Sequence, residues 1–254
     1  MKKILYTLFA ILFLTPSFSQ VAYIQYRHVP AENEDKFVEL ETKHWSKVAK
    51  AAIDNGQMLE WTLWKKVGTT EKDAPNYAFI NVFESIDQMV DDAHWTENIK
   101  EAGIDPAEVS TMGMSTVTFD YMVQIEDIIP GEFKYALVNY AKPDDFAGFI
   151  MENKNIWKSV HQNNIKENLN GMTSWGIASV IYPQGNLDRF SCYTYDGFNS
   201  LTDALNYMRF DSSWDGEGPL SDAISASRMD EIMIDGFEYR IIYERVMTVA
   251  AEPE

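Results

Sequence analysis

Six side chains stand out as groups able to do chemistry: Arg27, His44, Asn81, His161, Tyr193 and Tyr195. His44 closes the stretch "KFVELETKHW". Phe37, Leu40, His44 and Val48 recur at helical spacing, so His44 takes an apolar position on one helical stripe. A histidine there is either a satisfied core residue or a polar group facing a pocket, as general base, metal ligand or haem ligand. Glu41, one turn before Trp45, either orients such a histidine or is solvated. His161 follows Trp157 by four residues and so shares its helical face. Arg27 lies in an apolar strand, where a buried cation needs an anionic partner.

A third constellation is "DSSWDGEGPLSD". Asp211, Ser213, Asp215, Glu217 and Asp222 match the calcium-loop template at positions 1, 3, 5, 7 and 12, with Gly216 at position 6. Asp222 stands where a longer Glu normally chelates through both oxygens, and Pro219 occupies position 9. A solvated acidic turn before a Ser221-capped helix is the plainer reading. Elsewhere there is no Gly-rich phosphate loop, no CxxC pair, no HExxH and no G-x-S-x-G elbow. Cys192, the only cysteine, lies in the alternating strand "RFSCYTYD" and reads as a buried, inert thiol.

The elements that must position these groups occur twice. "VAYIQYRHV" at Val21 resembles "FKYALVNYA" at Phe133, and Phe37 and Trp45 match Phe149 and Trp157. "VFESIDQMVD" at Val82 resembles "TYDGFNSLTD" at Thr194. Each pair is separated by 112 residues. The counterpart of His44 is Ile156 and that of His161 is Ala49, so the histidines are not part of what repeats.

Each half reads strand, helix, strand, strand, helix, strand. In the first half (21–126) these are a strand over 21–29, a helix over 33–54 ending at Asn55-Gly56, strands "MLEWTLWKKV" and "YAFINVFE", a Ser85-capped helix over 86–100 and a strand over 115–125. The linker "EDIIPGE" leads to the second half (133–248). There the order is a strand over 133–141, a helix over 144–169, strands "MTSWGIASVIY" and "DRFSCYTYD", a helix from Ser200 and the strand "GFEYRIIYERV". The βαββαβ order is that of a ferredoxin-like unit, giving an α+β chain of two units in tandem. In "YAFINVF" both faces are largely apolar, so both are covered. With Ala78, Ile80 and Val82 under the helices, Tyr23, Gln25, Arg27, Phe79 and Asn81 would line the space between the sheets. Leu137, Asn139, Tyr193, Tyr195, Tyr239 and Tyr243 would join them from the second half. Such a space is either an aromatic ligand pocket or a packed interface.

This pattern of repeat and strand order resembles the dimeric α+β barrel superfamily, with the dimer fused into one chain. The resemblance implies sheets packed face to face and a pseudo-dimeric monomer. It also implies a choice among cofactor-free monooxygenases, isomerases and haem enzymes such as chlorite dismutases.

Bulk properties set the remaining bounds. The 254 residues are 46% hydrophobic and 13% aromatic, so the chain is globular and long enough for a sizeable core. Residues 1–20 show a basic start, a short apolar run and a polar end, the layout of a secretory signal peptide rather than a membrane span. Their removal takes Lys2 and Lys3 and moves the formal charge from −18 to −20. An exported, acidic, soluble protein repels phosphate backbones, which excludes nucleic acid as a natural partner. The expectation is a small organic ligand in an aromatic-lined barrel cavity, with no dedicated cofactor. The alternatives are a monooxygenase-like or haem-binding enzyme, a calcium-binding loop, and a non-catalytic interaction module.

Overall fold

The computed structural model describes residues 20–91, 93–209 and 219–251. The first half contains β1 (Val21–His28), α1 (Glu34–Leu40), a five-residue π-helical segment (Glu41–Trp45), α2 (Ser46–Asp54), β2 (Glu60–Lys66), β3 (Tyr77–Phe83), α3 (Ile86–Met89), α4 (Ala93–Glu101), α5 (Pro106–Val109) and β4 (Thr116–Ile129). The second contains β5 (Tyr135–Ala141), α6 (Phe146–Glu152), a second π-helical segment (Asn153–Trp157), α7 (Lys158–Glu167), β6 (Met172–Tyr182), β7 (Cys192–Phe198), α8 (Leu201–Met208), α9 (Pro219–Ala226), α10 (Met229–Ile232) and β8 (Tyr239–Ala250).

The eight strands close into an antiparallel barrel in the order β1-β3-β2-β8-β5-β7-β6-β4. Within each half the strands are neighbours. Two pairings join the halves, β2 with β8 and β4 with β6. The helix of each half lies on the outside of its own strands. Phe37 packs on Tyr77 and Phe79 beneath α1, and Phe149, Trp175 and Phe198 belong to the corresponding core of the second half. A third core fills the barrel itself and draws only on strands and their connections, including Ala22, Ile24, Ala78, Ala136 and Ala178 with Tyr26, Tyr140 and Tyr243.

Both faces of the strands are covered, as their apolar character predicts. The assignment of faces, however, is reversed for most of the positions named above. Ala78, Ile80 and Val82 point into the barrel, and Tyr23, Gln25, Arg27, Phe79 and Asn81 point outward under the helices. Leu137 and Asn139 also face outward, whereas Tyr193, Tyr195 and Tyr243 line the interior as expected. Tyr239 sits at one end of the barrel. The physical reason is space: an eight-stranded barrel is just wide enough for its side chains, so large inward residues at some levels require small ones at others.

Two further differences follow from local geometry. The helix expected over 86–100 is broken into α3 and α4. The 112-residue spacing holds for the two π-helical segments but not beyond. Ser85 and Ser200 cap α3 and α8, each accepting from the backbone N–H three residues on, and stand 115 residues apart. Val82 therefore faces the interior while Thr194, its counterpart by sequence, faces the helices.

Glycine is dictated at Gly176 on β6. A β-carbon on Gly176 would overlap the ring of Tyr195 from the neighbouring strand. Gly176→Ala is expected to destabilise the fold by about 1–3 kcal/mol through overpacking, measured as a lower midpoint in urea unfolding with an unchanged slope.

Candidate active site

The largest cavity among those described, about 710 Å³, lies between the outer face of β1 and β3 and the helices of the first half. Its walls are aromatic: Tyr23, Trp45, Trp61, Phe79 and Trp95. Tyr23, Gln25 and Arg27 alternate along β1 and so share its outward face. They are joined head to tail. Arg27 Nε donates to Gln25 Oε1 at 2.6 Å, Gln25 Nε2 to the Tyr23 hydroxyl at 3.0 Å, and that hydroxyl to Asp120 Oδ2 at 2.7 Å.

The other end of the chain reaches the helix. Arg27 Nη1 lies 3.5 Å from Thr111 Oγ1, which donates to Glu41 Oε1 at 2.7 Å. The guanidinium also sits over the Phe79 ring, 4.9 Å from its centre. Arg27 is half-buried, and its anionic partner is Glu41, reached through Thr111 rather than by direct contact. Burial is the main influence on Glu41 and pushes its carboxyl up to about 7, against the opposing pull of Thr111 and Arg27. Burial and the bond to Asp120 push the Tyr23 hydroxyl up to about 12. Asn81, 7% exposed, completes the lining, and its Oδ1 has no hydrogen-bond partner.

The π-helical segment explains why Glu41 and not His44 belongs to this cavity. A π turn inserts one residue into the α-helical repeat and so rotates everything that follows. Glu41 and Trp45 line the cavity; His44 is half-buried and outside its lining. The stripe through Leu40 and His44 assumes unbroken α-helical phase, which this segment lacks. Thr111 and Asp120 are functional candidates that sequence reasoning passed over, and Glu41 was read there only as a partner of a histidine or a solvated residue. For Glu41 the available signal was an acidic residue beside Leu40 and one turn from Trp45.

The other candidates fall in two separate places. His161 lines a cavity of about 300 Å³ under the helices of the second half, stacked on Trp175 with ring centres 5.3 Å apart. Burial pushes it down to about 4, so its ring is neutral at pH 7. The same cavity holds Asp196, whose carboxyl burial pushes up to about 6. Asn139 donates to Asp196 at 2.8 Å and accepts from Arg240 at 2.8 Å.

Tyr193 and Tyr195 line a chamber of about 210 Å³ inside the barrel. A hydrogen-bonded row separates it from a smaller chamber at the other end: Tyr26 to Tyr140 at 2.8 Å, Tyr140 to Tyr243 at 3.1 Å. Cys192 is fully buried and its thiol is pushed up to about 12 by burial, as an inert residue should be. Asp211, Ser213, Asp215 and Glu217 lie outside the described residues, and Asp222 is exposed on α9. Among the described residues no group of three or more His, Cys, Asp or Glu could hold a metal ion. No described helix is long and apolar enough to cross a membrane.

Solved structures share this architecture. One described as an anthrone oxidase-like protein superposes with a TM-score of 0.56 at 11% identity, over 94% of this chain and 95% of that one. A monooxygenase candidate from Lactobacillus acidophilus NCFM gives 0.53 at 10% identity, over 91% and 96%. The fold is that of the dimeric α+β barrels. A chlorite dismutase variant from Candidatus Nitrospira defluvii follows at 0.49 and 10% identity, over 89% and 90%, too distant to bear on the site. No protein-family model matches the sequence, and no curated protein matches it. The likeness is therefore one of barrel architecture alone.

Glu41 gives the barrel a pH signature. Its folded-state value lies above the ordinary 4.5, so its contribution to stability is complete below about pH 4.5 and is lost as pH rises through about 7. Asp196 acts in the same sense and His161 in the opposite one, which makes the Glu41→Gln comparison the clean measure. Between pH 4.5 and 8 the variant should gain on the parent by roughly 3 kcal/mol, at about 1.4 kcal/mol per pKa unit, in parallel urea titrations.

Proposed function

We propose that the first cavity is the active site of an enzyme that oxidises a small aromatic ketone or phenol of the anthrone type with dioxygen. The observation that carries this is Glu41, a buried carboxyl that titrates near neutrality, linked through Thr111 to Arg27 in an aromatic-walled space. A base poised near the working pH is suited to removing a proton from carbon next to a carbonyl. Arg27 supplies the positive charge that the resulting oxyanion needs. The unpartnered Asn81 oxygen accepts a hydroxyl of the same ligand. The anthrone oxidase-like and monooxygenase-type barrels support the substrate class.

The proposed chemistry runs in three moves. Glu41 takes a proton from the ring CH₂, and the electron pair spreads onto the carbonyl oxygen facing Arg27. Dioxygen accepts these electrons and a carbon–oxygen bond forms. The peroxide then loses water, so one oxygen atom stays as a new carbonyl, the other leaves in water, and the two hydrogens of the CH₂ leave with it.

With anthrone as probe, the parent protein should quench its tryptophan fluorescence, consume oxygen and release anthraquinone. Glu41→Gln should retain quenching and lose about 10²–10⁴-fold in turnover, and the parent rate should rise with pH through about 7. Absence of both quenching and oxygen uptake in the parent would overturn the proposal.

We further propose that the two halves are fused ferredoxin-like units forming a pseudo-dimeric monomer. The paired π-helical segments and the paired serine caps support this. Light scattering should give one chain's mass, at most 29.1 kDa; twice that mass would contradict it. Export with loss of residues 1–20 rests on their sequence, and the intact mass of protein recovered outside the cytoplasm decides it.

A further inference from the structure

Four buried side-chain polar atoms among the described residues lack a hydrogen-bond partner. Two of them belong to residues lining the two helix–sheet cavities. Asn81 is taken up by the proposed active site. His161 is not, and its cavity shares no lining residue with the first.

His161 is 9% exposed, and its Nδ1 is sealed and unpartnered. A bare lone pair is a cheaper orphan than a buried N–H, since orphaned N–H groups are the rarer case in folded proteins. The proton of the neutral ring therefore sits on Nε2. His161 thus offers a hydrogen-bond donor at the edge that can meet a ligand, without a charge. Trp157, Trp175 and Tyr207 supply flat walls. The buried Asp196 carboxylate is held by Asn139, and Arg240 on the same lining balances its charge, so the cavity favours an uncharged guest. The space of about 300 Å³ exceeds the roughly 150 Å³ that a dry cavity needs to hold benzene.

We propose that this second cavity is a separate binding site for an uncharged one- or two-ring aromatic molecule bearing a hydroxyl or carbonyl oxygen, which accepts a hydrogen bond from His161. The aromatic walls select the ring, the imidazole selects the oxygen, and the balanced charges of Asp196 and Arg240 leave no net charge to draw in an ion.

The test uses the full chain with isotope-labelled histidine, followed by NMR during titration with phenol, benzene and benzoate. Phenol should shift the His161 ring signals and bind about tenfold more tightly than benzene, the worth of one hydrogen bond. Benzoate should leave those signals in place. His161→Phe, which keeps a ring stacked on Trp175, should bring phenol and benzene level. In Arg27→Met, which alters only the first cavity, the phenol shift at His161 should persist. Equal binding of phenol and benzene by the parent would overturn the proposal. So would loss of the shift in Arg27→Met, or a benzoate affinity matching that of phenol. Should His161→Phe fail to fold, the labelled parent and the Arg27→Met titration decide between these outcomes.

Discussion

Closure of the barrel is the constraint from which the rest follows. Eight antiparallel strands joined through β2–β8 and β4–β6 leave no free edge. Every strand then has one face in a narrow interior and one outside, much of it beneath helices, and alternation along the strand divides its side chains between them. Small residues such as Ala22, Ala78, Ala136 and Ala178 go inward with a set of tyrosines. The outward faces have room for Arg27, Asn81, Asn139 and Asp196, and the helices arch over them to leave two cavities.

The two cavities share a location relative to their helix and sheet but differ in chemistry. In the first, a carboxyl, a threonine and a guanidinium form a chain that leads on through a glutamine and a tyrosine to a second carboxylate. In the second, a neutral imidazole stacks on tryptophan, apart from a carboxylate tied to an asparagine and an arginine. Burial does the same physical work in both. It penalises charge, so carboxyls hold their protons to higher pH and the histidine releases its own earlier. One scaffold thereby offers an acid–base centre on one side and an aromatic surface with a neutral imidazole on the other.

Much of this was legible in the residues. The alternation of strands and helices, two-sided burial, the Ser85 cap and a buried Cys192 follow from local pattern, because alternation, capping and burial are local causes; the expected Ser221 cap fails, since α9 already begins at Pro219. The choice of face was not legible: both sides of "YAFINVF" are apolar, and only barrel closure decides that Ala78 turns inward and Phe79 outward. His44 misled for another reason. Nothing in "ETKHW" announces a π turn, and one inserted residue moves the helix face from histidine to glutamate. The match of Val82 to Thr194 failed because three more residues lie between the π-helical segment and the strand in the second half, which reverses the alternation.

The row formed by Tyr26, Tyr140 and Tyr243 bears on how the two halves find each other. Its hydroxyls cross the barrel axis, one from the first half and two from the second, within a mostly hydrocarbon surrounding. Oily surfaces can slide past one another at little cost, but three hydroxyls satisfy each other in one alignment only. Shifting either half by a residue would turn these side chains to the wrong face and leave polar groups without partners. The row therefore acts as a key in a lock. Apolar burial drives the halves together, and the hydroxyls dictate the single register in which they stay.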